Sequence, residues 1–192
     1  MLKGLGAIQE NLGSSNEYLK LKDGEGVVLR ILVPSTELIA VWEHTEQFAG
    51  RWKTVTCLGK DTCPLCLAGK RASFKAYVPL LDTADDKVKI FKASRDSIKQ
   101  IIGLVEEYGE LNKNTFKLVR KGMKLDTTYQ FFYKKDDTDY DLSQYDVPNI
   151  EEIVKPMERE AMIALMEGGA SVARAAEQGK PAVETSTDDY PF

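Results

Sequence analysis

Residues 44–66 read HTEQFAGRWKTVTCLGKDTCPLC and hold the only histidine and all three cysteines of the 192-residue chain. The spacing is His44-x12-Cys57-x5-Cys63-x2-Cys66. Thiolates and imidazoles are the preferred ligands of Zn²⁺, and a closed tetrahedral site takes four of them. A Cys-x2-Cys pair is a signature of such sites. Pro64 stiffens the knuckle between Cys63 and Cys66, and Gly59 loosens the approach from Cys57. A redox dithiol would need neither Cys57 nor His44, and no thioredoxin-like strand–helix context surrounds the pair. Four protein ligands leave no open position for water. The stretch therefore predicts one structural zinc ion on His44, Cys57, Cys63 and Cys66, and the plainer alternative is three buried free cysteines beside an unrelated histidine.

Working outward, Ala49-Gly50 reads as a tight turn between two extended arms, the second being Arg51 to Thr56. Leu38 to Trp42 reads as a short strand running into His44, and Leu67 to Ser73 as one helical turn after the cysteines. Upstream, Tyr18 to Lys22 alternates like a strand, Asp23 to Gly26 is a turn, and Val27 to Val33 is an apolar, β-branched strand. Downstream, Phe74 to Leu81 and Lys87 to Phe91 pair across the turn at 82–86. Ser94 to Glu107 carries Ile98, Ile101, Ile102 and Val105 at helical spacing, with Ser94 or Asp96 as cap. Two more strands, Phe116 to Arg120 and Thr127 to Tyr133, flank the turn at Lys121-Gly122. From Asn149 an apolar stripe of Ile150, Ile153, Met157, Met162, Leu165 and Met166 reads as a helix bent at Pro156 and stopped by Gly168-Gly169, with Ala170 to Gln178 as a weak last helix.

Short strands with one intervening helix predict a mainly β (α+β) fold, a small barrel of the oligonucleotide-binding (OB) type, with an open β-sandwich as alternative. The expected organisation is a loosely ordered start over 1–16 and an OB core over 17–148 that includes the zinc subdomain at 44–66. A C-terminal helical segment over 149–178 and an acidic flexible tail over 179–192 follow. No apolar run approaches the roughly 20 residues of a membrane span. An odd cysteine count and a start without an apolar signal core point to the cytoplasm and to no membrane partner.

The net charge of −4 hides an asymmetry. Residues 136–192 carry four basic and fourteen acidic side chains, a net −10, which leaves +6 on residues 1–135. A basic body with an acidic end is the pattern of a polyanion binder. Cations and aromatics interleave in that body: Arg51-Trp52-Lys53, Lys70-Arg71 before Phe74-Lys75-Ala76-Tyr77, Phe91-Lys92, and Tyr133-Lys134-Lys135. Single-stranded nucleic acid asks for this combination, because cations track phosphates while flat rings stack on bases. Trp52, Phe74 and Tyr133 are the rings expected at the surface, since charged residues flank each of them. Strand alternation assigns about half of the aromatics to the core.

The order of these features resembles the zinc-containing single-stranded-DNA-binding proteins of tailed phages, of the T-even helix-destabilising type. The resemblance covers residues 17–155 and runs from YLKLKDGEGVVLRILVPS through the His/Cys stretch and KIFKAS to Val147-Pro148-Asn149-Ile150. It implies an OB fold with an inserted zinc subdomain and a role in DNA replication, recombination and repair inside a bacterial host cell. It implies His44, Cys57, Cys63 and Cys66 as ligands, and places Arg30, Lys70, Arg71, Phe74, Lys92 and Tyr140 in DNA-contacting segments. Of the family's basic N-terminal self-association motif only Lys3 is present, so self-association is expected to be weak at most. The end of the chain, Asp188-Asp189-Tyr190-Pro191-Phe192, is similar instead to the acidic tip by which bacterial single-strand-binding proteins recruit replication and repair partners.

Enzymatic readings fare badly. A Ser/His/Asp set would have to commit His44, which the zinc needs, and no phosphate-binding Gly-Lys-Thr/Ser loop is present. The competing reading is a zinc-ribbon protein-interaction module, such as a transcription or host-takeover factor.

Overall fold

The computed structural model describes residues 18–135 and 140–178. The fold is mainly β. Its strands are β1 Gly26–Ile31, β2 Ile39–Phe48, β3 Arg51–Thr56, β4 Ser73–Asp82, β5 Lys87–Ala93, β6 Thr115–Lys121 and β7 Thr128–Lys134. They form one open sheet in the order β3-β2-β4-β1-β6-β7, with β5 paired to β4. The helices are α1 Pro64–Leu67, α2 Arg95–Tyr108, α3 Ile150–Ile153 and α4 Arg159–Gln178. The described residues divide into two units, one of residues 18–42 and 73–155, the other of residues 43–72 and 156–178.

In the sheet unit, period-2 alternation sets the faces. Leu29 and Ile31 of β1, Val78 and Leu80 of β4, Phe91 of β5, and Phe116 and Leu118 of β6 point to one side and make the main core. The helix α2 covers them with Ile98, Ile101, Leu104 and Val105. Ser94 caps that helix by accepting from the Ser97 N–H, and Gly109 ends it at φ +76°. The other side carries a smaller cluster of Tyr77, Ile90, Ile150 and Val154. Pro79 is tolerated inside β4 because it lies just past the end of β1, where only its carbonyl is used, by the Leu32 N–H at 3.0 Å. Gly122, at φ +84°, is required at the β6–β7 turn: a Cβ there would meet the Asp126 carbonyl oxygen at 2.3 Å. Lys89 reaches Asp82 at 2.8 Å and Asp85 at 2.6 Å, and the Lys89 and Asp82 side chains are both nearly buried.

The closed barrel expected from the sequence is not formed, and two contacts account for this. The free edge of β5 is taken by the N-terminal segment, where the Leu19 N–H donates to the Ile90 carbonyl at 2.9 Å and Tyr18 makes a parallel bridge. The free edge of β7 is taken by a side chain: the Gln100 amide donates to the Tyr129 carbonyl at 2.8 Å and accepts from the Phe131 N–H at 3.1 Å. The two edges that would have to meet are thus engaged elsewhere.

The second unit holds the cysteines. The second half of β2 and all of β3 form a hairpin whose turn is Ala49-Gly50, with φ +48° and +78°. Two positive φ angles mark a type I′ turn, which Asn-Gly satisfies and Ala strains. Ala49→Asn is therefore expected to stabilise this unit by about 0.5–1 kcal/mol, read as a higher denaturation midpoint of Trp52 fluorescence in a Trp42→Phe background. No change in midpoint would show that the turn stores no strain.

Four local readings need correction. Tyr18 to Lys22 is not a strand: beyond the Tyr18 bridge, the Leu21 carbonyl accepts from the Arg120 guanidinium and the Lys22 N–H donates to the Glu25 carboxylate. The helical turn falls at Pro64–Leu67 rather than after it, because Pro64 occupies the first helical position behind Cys63. Gly168-Gly169 does not stop the last helix, which runs on to Gln178 through an Ala-rich stretch. A helical Gly costs about 1 kcal/mol, which weakens a helix without breaking it. The C-terminal apolar stripe is also split: Ile150 and Ile153 pack in the sheet unit, while Met157, Met162, Leu165 and Met166 pack in the unit of the cysteines. Among the described residues no helix is long and apolar enough to cross a membrane.

Candidate metal centre and nucleic-acid surfaces

Two structural pieces bring the four ligands together. The β2–β3 hairpin supplies His44, in mid-strand opposite Val55, and Cys57, one residue beyond the end of β3. The knuckle supplies Cys63, the N-cap of α1, and Cys66 within that helical turn. Gly59, at φ +103°, lets the chain fold back so that its carbonyl accepts from the Cys63 N–H at 2.8 Å. After the turn, the Gly69 N–H returns to the Cys66 carbonyl at 2.9 Å and the Lys70 N–H to the Leu65 carbonyl at 2.9 Å.

The four ligand atoms all lie within 4.8 Å of one another. Cys57 Sγ is 3.5 Å from Cys66 Sγ, and His44 Nε2 is 3.5 Å from both Cys63 Sγ and Cys66 Sγ. Zn–S bonds of about 2.3 Å and Zn–N bonds of about 2.0 Å, set tetrahedrally, give donor separations of about 3.5–3.8 Å. The sulfurs are too far apart for a disulfide, which needs about 2.05 Å. The cluster can therefore hold one metal ion, and its donors suit a structural zinc.

Electrostatics point the same way. Burial, and then the neighbouring Cys57 and Cys63 sulfurs, push the Cys66 thiol up to about 12. Burial also raises Cys63, but backbone hydrogen bonds from Cys66, Leu58 and Leu65 outweigh it and hold this thiol below its ordinary value. Three thiolates this close repel one another, and a divalent cation at their centre reverses that balance. Coordination through Nε2 leaves the His44 proton on Nδ1, which is buried without a hydrogen-bond partner among the described residues. Met162 of α4 closes the site from the protein side, with its sulfur 3.7 Å from Cys63 Sγ. Phe48, Val55 and Leu65 complete this small core.

The residues expected to meet nucleic acid fall into separate places. Arg51, Trp52 and Lys53 lie exposed in succession on β3, with the indole 70% accessible. Lys70 and Arg71 are exposed as well, and Lys70 pairs with Glu46 at 3.1 Å. In the sheet unit, Phe74 is half-buried against Trp42, with ring centroids 5.3 Å apart. Lys75 is half-buried, and Lys92 lies 5.4 Å from the centre of the Tyr77 ring. Tyr133 is 41% accessible but stacked on Tyr108, at 4.3 Å and 5°. Arg30 is only 7% accessible. Its guanidinium donates to the Thr115 hydroxyl at 3.3 Å and the Asn112 carbonyl at 3.1 Å, beneath the Tyr140 ring at 5.1 Å. Asp188, Asp189, Tyr190, Pro191 and Phe192 lie outside the described residues.

Trp42 and Arg95 escaped the sequence reading. The alternation of Leu38 to Trp42 held the signal: if Ile39 and Val41 face inward, Trp42 faces the other way. Compared with known proteins, the chain matches no family model. No curated protein sequence matches it significantly either.

Proposed function

We propose that this protein binds single-stranded DNA with little regard for sequence, and that its His/Cys cluster holds one structural Zn²⁺. The observation that carries the reading is Trp52, an indole 70% accessible on β3, with exposed Arg51 and Lys53 adjacent in sequence and rooted on the opposite face of the hairpin. An indole left in water forgoes a large hydrophobic gain, and stacking on a base recovers it while the cations meet phosphates.

The fold reading that accompanies it is an OB core. The strands run β5-β4-β1-β6-β7 with α2 between β5 and β6, and the metal-bearing hairpin is inserted after β1. This order supports reading the unit as an OB barrel short of its β5–β7 ladder. Such folds bind oligonucleotides on the face of their second and third strands. Here those strands are β4 and β5. Lys75 and Lys92 share with Tyr77 the face turned away from the main core. Arg30 enters this reading as a support for Tyr140 rather than as a free cation.

The remaining parts of the proposal are action in phage replication, recombination and repair in a bacterial cytoplasm, and recruitment of partner proteins by Asp188 to Phe192. The test is oligo(dT) binding followed by anisotropy of a labelled strand. Trp52→Ala is expected to weaken binding about tenfold at every salt concentration. The double variant Arg51→Ala/Lys53→Ala should reduce the slope of log K against log salt by about 1.4, from two phosphate contacts at about 0.7 each. If neither variant changes binding, the hairpin is not a DNA surface and the protein-interaction reading gains. Deleting residues 188–192 should leave affinity for oligo(dT) unchanged or higher and abolish capture of replication proteins. Equal capture by both forms would refute recruitment.

A further inference from the structure

We infer that Trp42 and Phe74 form a second base-stacking platform, in the sheet unit, gated by Arg95. The inference rests on the single-strand-binding reading and adds a subsite with named residues, separate from Lys75 and Lys92 and on the opposite face of the sheet. Trp42 is the residue at which β2 leaves the inner cluster: Ile39 and Val41 pack beside Tyr77, and alternation turns Trp42 to the opposite face. There the indole remains 47% accessible. Phe74 of β4 stands against it at 5.3 Å with a 49° tilt, so the two rings form a wedge rather than a closed stack. A planar base lies flat on an indole held from behind in this way, because the second ring fixes its orientation.

Charge selects the occupant. Arg95 is the first residue of α2, and its guanidinium lies 5.7 Å from the indole centroid. It makes no ion pair among the described residues, while its neighbour Asp96 is matched by Lys99 at 3.8 Å. A cation at 5.7 Å is near the outer limit of attraction to a ring, about 6 Å, so little is lost when it swings aside. In that position it meets the phosphate next to the stacked base, where the positive end of the 14-residue helix α2 adds to its field. A flat aromatic flanked by a phosphate is a nucleotide of a single strand. In a duplex the faces of the bases are already stacked.

The experiment uses the full, zinc-loaded chain. The chain has two tryptophans, so Trp52→Phe leaves Trp42 as its only indole. Oligo(dT) is titrated into this variant, with anisotropy of the labelled strand and tryptophan emission read together. Quenching of Trp42 that saturates with the anisotropy is the expected result. In the otherwise unaltered chain, Trp42→Ala should weaken binding about tenfold, equal to about 1.4 kcal/mol. Trp42→Phe, which keeps a ring, should lose less, and Arg95→Ala should reduce the slope of log K against log salt by about 0.7, one phosphate contact, which Arg95→Lys retains. Strand binding by the unaltered chain, combined with unchanged Trp42 emission and full affinity in Trp42→Ala, would overturn the platform and leave the single-strand reading standing. Absence of strand binding by the unaltered chain overturns both.

Discussion

Removing the metal with a strong chelator is expected to unfold residues 43–72 and release α4 from them, while the sheet of residues 18–42 and 73–155 keeps its structure. The cause is the size of the core. Around Cys63 the described part of the second unit fully buries few further apolar side chains, Phe48, Val55, Leu65 and Met162 beside Pro64. Four such residues, at about 1.5–3 kcal/mol each, do not offset the ordering of more than twenty residues at about 1–2 kcal/mol apiece. The proposed structural zinc, at about 10–16 kcal/mol, would make up the deficit. Cys63→Ser should have nearly the same effect, since Cys63 is the fully buried cysteine of the His/Cys cluster. Metal content, helical circular dichroism and proteolysis after Arg51 or Lys53 measure the change. Retained resistance to proteolysis in the metal-free protein would mean that the apolar packing suffices alone.

Lys89→Met is expected to destabilise the sheet unit by about 3–5 kcal/mol, the cost of leaving a buried charge without its partner. Asp82 is the stranded group: it is 7% accessible, and Lys89 is its only ion-pair partner among the described residues. The ionisation of the triad fixes a pH window. Burial lowers the Lys89 ammonium, but Asp82 and Asp85 outweigh this and hold it above its ordinary value. Lys89 holds the Asp85 carboxyl below its ordinary value. The stability from the raised lysine is fully present below the ordinary lysine pKa and lost as pH rises through the folded value. The stability from the depressed carboxyl is present above the ordinary carboxylate pKa and lost as pH falls through the folded value. The variant should therefore differ most from the unaltered chain between these limits, across neutral pH. An equal difference at pH 3 and pH 7 in urea denaturation would contradict that assignment.

The His/Cys cluster that could hold a metal ion was legible because every soft donor of the chain falls in one stretch, and chemistry alone selects them. The strands around Val27, Phe74, Lys87 and Phe116 were legible from β-branched and alternating residues. The limits were physical. An OB pattern fixes which strands are neighbours, but closure depends on single contacts, here Leu19 on Ile90 and the Gln100 amide on β7, which no periodicity announces. The Met stripe was visible, yet its division between two cores follows from the chain's break at Val154–Pro156, not from its period. Surface aromatics were the hardest to assign. Charged sequence neighbours identified Trp52 and Tyr133, both exposed although Tyr133 spends one face on Tyr108, but they also pointed to Phe74, which is half-buried, and they passed over Trp42, whose one charged neighbour, Glu43, is an anion.

The central claim is tested most directly by equilibrium titration of the zinc-loaded protein with a single strand and with a duplex of equal length, at two salt concentrations. Stacking requires free base faces, and phosphate contacts release counterions. The expected result is clear preference for the single strand, little dependence on its base composition, and affinity that falls steeply with salt. Equal affinity for the duplex, or binding that does not respond to salt, would contradict it.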